Sequence, residues 1–307
     1  MILLGQMIIL FLLMLVGLVC RKTGLITNAG SKIISGVVVN VANPALILSA
    51  SINKENNIQG RELLMTAGLA IGVYVFLVAM ALIVPKVFRV SKGDKGSYKV
   101  MTVFANIGFM GFPVISAVYG GEALLYASFF LIPFNVLIYT WGIAAITADS
   151  GAKAPEGPVW KKILNVGVVS CILTIIIYVT RIPVPVAIEE TIGHLANLTA
   201  PLSMMVIGAS LADMDFKSLF TDVRLIIFSL IKLIVIPVIG VSVIKLFGVS
   251  NTLAGVCMVM LSTPVASMTA MLAQQYDANY EVTSKGVALT TILAVVTMPL
   301  VGMILGL

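Results

Sequence analysis

Apolar residues run along this chain in long blocks, separated by short polar breaks. Ten blocks fall at roughly 4–20, 32–50, 63–85, 99–119, 122–146, 161–180, 193–212, 222–247, 252–275 and 284–306. A helix needs about 20 mostly apolar residues to cross the hydrocarbon core of a bilayer, and each block reaches or approaches that length. The pattern predicts an all-α membrane protein with ten transmembrane helices. Little sequence is left over for a separate soluble domain. The longest polar connection, 149–158, lies at the middle of the chain.

Composition agrees with a lipid solvent. Hydrophobic residues make up 60% of the chain and charged residues 10%, against about 25% charged in a soluble domain. The cations are unevenly distributed. Of 19 Lys and Arg, fourteen fall in odd-numbered connections, four in even-numbered ones, and Lys232 within a block. The positive-inside rule then makes the odd connections cytoplasmic and both termini extracytoplasmic. No Lys or Arg precedes the first block, whereas Arg21 and Lys22 follow it; this is the wrong order for a cleaved signal. The net charge of +6 therefore reflects topology, and a nucleic-acid partner is not expected because the charges gather on no single face.

The prolines point to an internal repeat. Pro44, Pro85, Pro113 and Pro133 occur in blocks two to five; Pro201, Pro237, Pro264 and Pro299 occur in blocks seven to ten. The matched pairs are 157, 152, 151 and 166 residues apart. Asn40-Val-Ala-Asn43-Pro44 also pairs with Asn197-Leu-Thr-Ala-Pro201 as Asn-x-x-x-Pro. Two halves, 1–150 and 151–307, would each carry five spans. An odd-numbered repeat must insert the second time upside down, which gives the 5+5 inverted repeat common in secondary transporters.

Blocks four and nine hold the residues least suited to a continuous helix. Block four reads Asn106-Ile-Gly108-Phe-Met-Gly111-Phe-Pro113, and block nine reads Ser262-Thr263-Pro264-Val-Ala-Ser267. Proline removes a donor and clashes with the carbonyl four residues back; glycine weakens a helix further. Non-helical backbone at membrane depth survives where protein or a water-filled cavity surrounds it. These two segments are therefore candidate broken helices, whose half-helix N-termini suit a carboxylate. Asn106, Gly108, Gly111, Pro113, Ser262, Thr263, Pro264 and Ser267 are the candidate substrate contacts. Asn40 and Asn43, with Asn197 and Thr199, either line the same cavity or satisfy carbonyls freed by Pro44 and Pro201. Lys232 lies ~10 Å from the end of its span at 1.5 Å per residue; it serves function, or it snorkels toward the headgroups or makes a structural pairing. Cys20, Cys171 and Cys257 have no paired spacing and His194 is the single histidine, so the sequence calls for no metal and no cofactor.

The motif Asn106-x-Gly108-x-x-Gly111-x-Pro113, followed by Tyr119-Gly120, resembles the fourth-span crossover of the auxin efflux carrier family. Pro264 through Gln274-Gln275-Tyr276 to Pro299 is similar to that family's last two spans. The resemblance covers the whole chain and implies the fold of bile-acid sodium symporters. Spans 1, 2, 6 and 7 would form a scaffold. Spans 3–5 and 8–10 would form a transport domain in which helices 4 and 9 cross at their prolines. It also implies an elevator-like step and a homodimer through the scaffold. Two features depart from the plant carriers. The central connection is short, and 63–85 carries no charge.

The expected activity is secondary transport of a small organic anion, a mono- or dicarboxylate such as malate or malonate, or an auxin-like carboxylate. Its partners would be that anion, a coupling proton or sodium ion, and the bilayer of the cell membrane. The alternative is a sodium-coupled symporter of a larger amphipathic anion. An enzyme is not expected: no HExxH occurs, and no nucleophile–base set lies at depth.

Overall fold

The computed structural model describes residues 2–52, 60–150, 160–212, 214 and 219–307. Most of the central connection, with Pro155 and Pro158, lies outside the described residues, as do the loop cations Lys54, Lys153 and Lys217.

Among the described residues the regular structure is helical, with one isolated antiparallel bridge between Ala105 and Val265. Seven helices among the described residues are long and apolar enough to cross a bilayer: Leu3–Lys22, Asn28–Ile52, Gly60–Val87, Ala123–Ala148, Val186–Ala212, Val223–Lys245 and Tyr280–Leu305. Outward-facing apolar side chains such as Leu64 and Val296 are at least 70% exposed, as a lipid-facing surface requires.

Three of the ten blocks fall short of a full-length helix, each for a local reason. In block six the helix Val166–Thr180 starts late, where Asn165 accepts the Val168 N–H through its side chain, and stops at Arg181 in the left-handed conformation. Blocks four and nine are interrupted. The fourth segment consists of Lys95–Val103 and Ile107–Tyr119; the ninth consists of Asn251–Ser262 and Ser267–Gln275. Block seven, in contrast, is longer than its apolar run, with Val186–Ala196 and Thr199–Ala212 joined by a turn at Asn197 and Leu198.

Three prolines are absorbed by the same backbone device. A π-turn ends two residues before Pro44, Pro113 and Pro237, at Val38–Ala42, Ile107–Gly111 and Ile231–Val235. In each, the residue before the proline donates its N–H five residues back: Asn43 to Val38, Phe112 to Ile107 and Ile236 to Ile231. The wider turn moves the carbonyl that the ring would strike, so the helix runs on through the proline.

The packing is close where glycines allow it. The first helix and Thr199–Ala212 meet backbone to backbone, Gly17 against Met205 and Gly208 against Met14, with no room for a Cβ at either glycine. Asn43–Ile52 packs against Val166–Thr180 and Val186–Ala196, while Gly60–Val87 packs against Lys95–Val103 and Ala123–Leu137. Two sets of contacts among the described residues join connections of like parity. Asp94 of the third accepts from Asn279 Nδ2 of the ninth at 2.7 Å, and a cavity of about 580 Å³ beside Asp94 is also lined by Thr221, Asp222 and Arg224, where the seventh connection meets the eighth segment. At a separate place Ser250 of the eighth connection donates to Glu62, at the end of the second, at 2.7 Å.

Candidate functional site

The two interrupted segments meet. Asn106 N donates to Pro264 O at 2.7 Å, and Ala266 N donates to Phe104 O at 2.9 Å. This pair of bonds is the Ala105–Val265 bridge. Ala105, Asn106, Pro264 and Val265 are all buried, so each strand-like tripeptide supplies the partners that its broken helix cannot.

The position of the crossing corrects one expectation. Helices four and nine do not cross at both prolines. Pro264 is at the crossing, but Pro113 lies seven residues beyond Asn106, in the continuous helix Ile107–Tyr119. The fourth segment breaks at Phe104–Asn106, and the π-turn before Pro113 leaves no break there.

In the fourth segment, Asn106 organises the restart. Its side-chain Oδ1 accepts from Phe109 N at 3.3 Å, and its backbone O accepts from Met110 N and Gly111 N at 3.2 and 3.1 Å. This is N-capping: a short polar side chain takes donors that the first turn of a helix leaves unpaired. The glycines of the motif lie beside residues of other segments, where a Cβ would make ordinary contacts. A Cβ on Gly111 would stand 3.5 Å from Thr263 Cγ2, and one on Gly108 would stand 3.4 Å from Asn43 Nδ2.

In the ninth segment, the helix end at Ser262 leaves carbonyls without their usual donors. Thr263 N still donates to Val259 O at 2.9 Å. Pro264 has no N–H to give Met260 O, and Thr263 Oγ1 donates there instead at 3.2 Å. Val265 N is turned away and donates to Thr290 Oγ1 of the tenth segment at 3.0 Å. Leu261 O receives Lys232 Nζ at 3.3 Å. Lys232 is fully buried, so it does not snorkel. Beyond the break, Thr269 Oγ1 donates to Ala266 O at 2.8 Å and Ser267 is exposed at the new helix start.

Of the candidate residues, Asn106, Gly108, Gly111, Thr263, Pro264, Asn43 and Lys232 are thus linked around one crossing. Ser262 adjoins it, buried, with its hydroxyl unpartnered; Asn43 Oδ1 is likewise buried without a partner. Asn197 is exposed in the turn before Thr199–Ala212, with no side-chain bond to the crossing. Thr199 beside it is buried with an unpartnered hydroxyl. Sequence reasoning missed Thr290. Its only signal is the Thr290-Thr291 pair inside an apolar block, and threonine in a helix commonly bonds its own backbone, as Thr290 Oγ1 also does to Gly286 O at 2.7 Å.

With this geometry in hand, the relatives are informative. The sequence profile of the membrane transport protein family matches residues 2–301. The chain belongs to the membrane transport protein family. An uncharacterized transporter of Methanocaldococcus jannaschii is 25% identical over 307 residues, covering 97% of both chains. Another, from Methanothermobacter thermautotrophicus, is 23% identical over 305 residues, covering 95% of both. Membership of the membrane transport protein family makes this a multi-pass membrane transporter, and the matched region contains both interrupted segments.

Proposed function

We propose that the protein is a secondary transporter of small organic anions, most fittingly mono- or dicarboxylates, that binds its substrate beside the crossing. The observation that carries this reading is the meeting of two restarting half-helices, Ile107–Tyr119 and Ser267–Gln275, at one antiparallel bridge. Both half-helix dipoles favour negative charge; Asn106 already takes the first-turn donors of Ile107–Tyr119, whereas Ser267–Gln275 starts without a side-chain cap, so its leading N–H groups are the ones open to an anion. Ser267 is exposed at one such end, and the unpartnered Ser262 hydroxyl adjoins the break.

The antiparallel crossing supports a ten-span chain built as a 5+5 inverted repeat, since segments related by such a repeat run in opposite directions. The parity of the connections supports the same reading. Under it, the first, second, sixth and seventh segments form a scaffold, and the rest form a transport domain that carries the crossing across the membrane. The glycine contact between the first helix and Thr199–Ala212 suits a rigid scaffold.

Counterflow in proteoliposomes tests this. Vesicles preloaded with malate, malonate, succinate, lactate or indole-3-acetate are followed for entry of the matching labelled compound, with and without sodium. Exchange of one carboxylate is expected, slowed about tenfold or more by Asn106→Ala, for a loss of ~1.4 kcal/mol. Folded protein that exchanges none of them removes the carboxylate reading. Sodium-dependent uptake of a larger amphipathic anion would replace it with the symporter alternative.

A further inference from the structure

Lys232 presents two problems that solve each other. It is 0% exposed, and among the described residues no carboxylate lies within 4.0 Å of its Nζ. An ammonium taken out of water costs several kcal/mol unless it is compensated. Its one hydrogen bond among the described residues goes to Leu261 O, in the last turn of Asn251–Ser262. That carbonyl has lost its helical donor, because Val265 N is committed to Thr290 Oγ1. A helix C-terminus carries a partial negative charge of roughly half a unit, and here the end is buried and cannot be hydrated. The adjacent Ser262 hydroxyl is also buried and unpartnered. The place therefore has the makings of a cation site: an orphaned carbonyl, a spare hydroxyl oxygen and a helix's negative end.

We infer that Lys232 is the resident cation of the crossing, a tethered ammonium that fills a monovalent-cation site at the carbonyl end of Asn251–Ser262, so that the ninth segment closes without an ion from solution. The π-turn Ile231–Val235 holds Lys232 against the ninth segment, on which Ile236–Lys245 also packs. The same stretch of chain provides an internal comparison. Lys245 Nζ donates to Leu305 O, near the C-terminal end of Tyr280–Leu305, but that lysine is only half-buried, so water can replace it. The inference does not depend on which anion is carried, and its test reads stability.

The test uses the full chain, purified, with melting temperature as the readout. Lys232→Met removes the charge at similar size, and Lys232→Ala leaves a space that fits n-propylammonium. Lys232→Met is expected to melt about 5 °C or more below the wild type. n-Propylammonium is expected to raise the melting temperature of Lys232→Ala, with equimolar 1-propanol giving no such rise, and to leave wild type and Lys245→Ala unmoved. If Lys232→Ala does not fold alone, the same comparison is made on the yield of monodisperse protein purified in each additive; recovery in the ammonium alone supports the inference. A Lys232→Met protein that melts at or above the wild type would show a lysine merely tolerated in the core and would overturn it. Equal recovery by propanol, or no response to the ammonium, would overturn it as well.

Discussion

The two interruptions face each other across one bridge, yet they are held by different means. The fourth is nearly self-sufficient. Asn106 caps the restarting helix with its side chain and its backbone, and its partners Phe109, Met110 and Gly111 lie within five residues. The ninth depends on its neighbours. Its carbonyl end is held by Lys232 of the eighth segment, its turned amide by Thr290 of the tenth, and its restart by Phe104 of the fourth. The first is a local turn that its own sequence encodes. The second is a tertiary construction that exists once three other segments are in place. Any movement of the ninth break therefore involves the eighth and tenth segments directly.

The largest effect that would break this comparison is expected at Thr290. Thr290→Val keeps the shape and removes the acceptor for the buried Val265 N–H. A buried donor left unsatisfied costs about 1–3 kcal/mol. Thr290→Ser, which keeps the hydroxyl, should stay within ~0.5 kcal/mol of the wild type. Thermal melts of the three proteins check this. If the Val variant were as stable as the Ser variant, the ninth break would be satisfied locally, like the fourth, and the contrast would vanish.

Next in size is Asn106→Ala, which deletes the local cap. The expected loss is about 1 kcal/mol, with Asn106→Asp recovering most of it because a carboxylate caps the same N–H and complements the helix dipole. The same melts apply. A loss well above that from Thr290→Val would mean that the fourth break carries the crossing and that the ninth is the passive partner.

What the sequence disclosed follows the same division. The broken fourth helix was legible because its causes are local: glycines, a proline and a capping asparagine inside an apolar block. The point of the break was not. Pro113 appeared to mark it, but a π-turn absorbs that proline, as it absorbs Pro44 and Pro237, and whether a helix kinks or widens is decided by neighbours. For the ninth segment, Pro264 announced a break and lay at it. Thr290 was invisible, because a threonine that caps a distant amide looks like any threonine in a membrane helix. Lys232 stood out as a charge at depth, but its partner is a backbone carbonyl, which no side-chain pattern can name. The repeat pairs Asn197 with Asn40, and both are exposed, whereas Asn43, which has alanine at the matching place, is buried beside the crossing.

The smallest expected effect is the most discriminating. Asn106→Ala and Thr290→Val act on opposite sides of the same two backbone bonds, Asn106 N to Pro264 O and Ala266 N to Phe104 O. Each variant loosens a residue that flanks this bridge. Once one side is loosened, the second loss falls on a bridge already weakened, so the double variant should be more stable than the sum of the single losses predicts. Residues in one hydrogen-bonded network couple by at least ~0.5 kcal/mol, whereas independent sites add to within that figure. A double-mutant cycle built from melting data would measure this difference. Coupling of that size would make the crossing one cooperative unit with two differently built halves. Strict additivity would mean that the bridge transmits nothing, and that the local and tertiary breaks are neighbours without being partners.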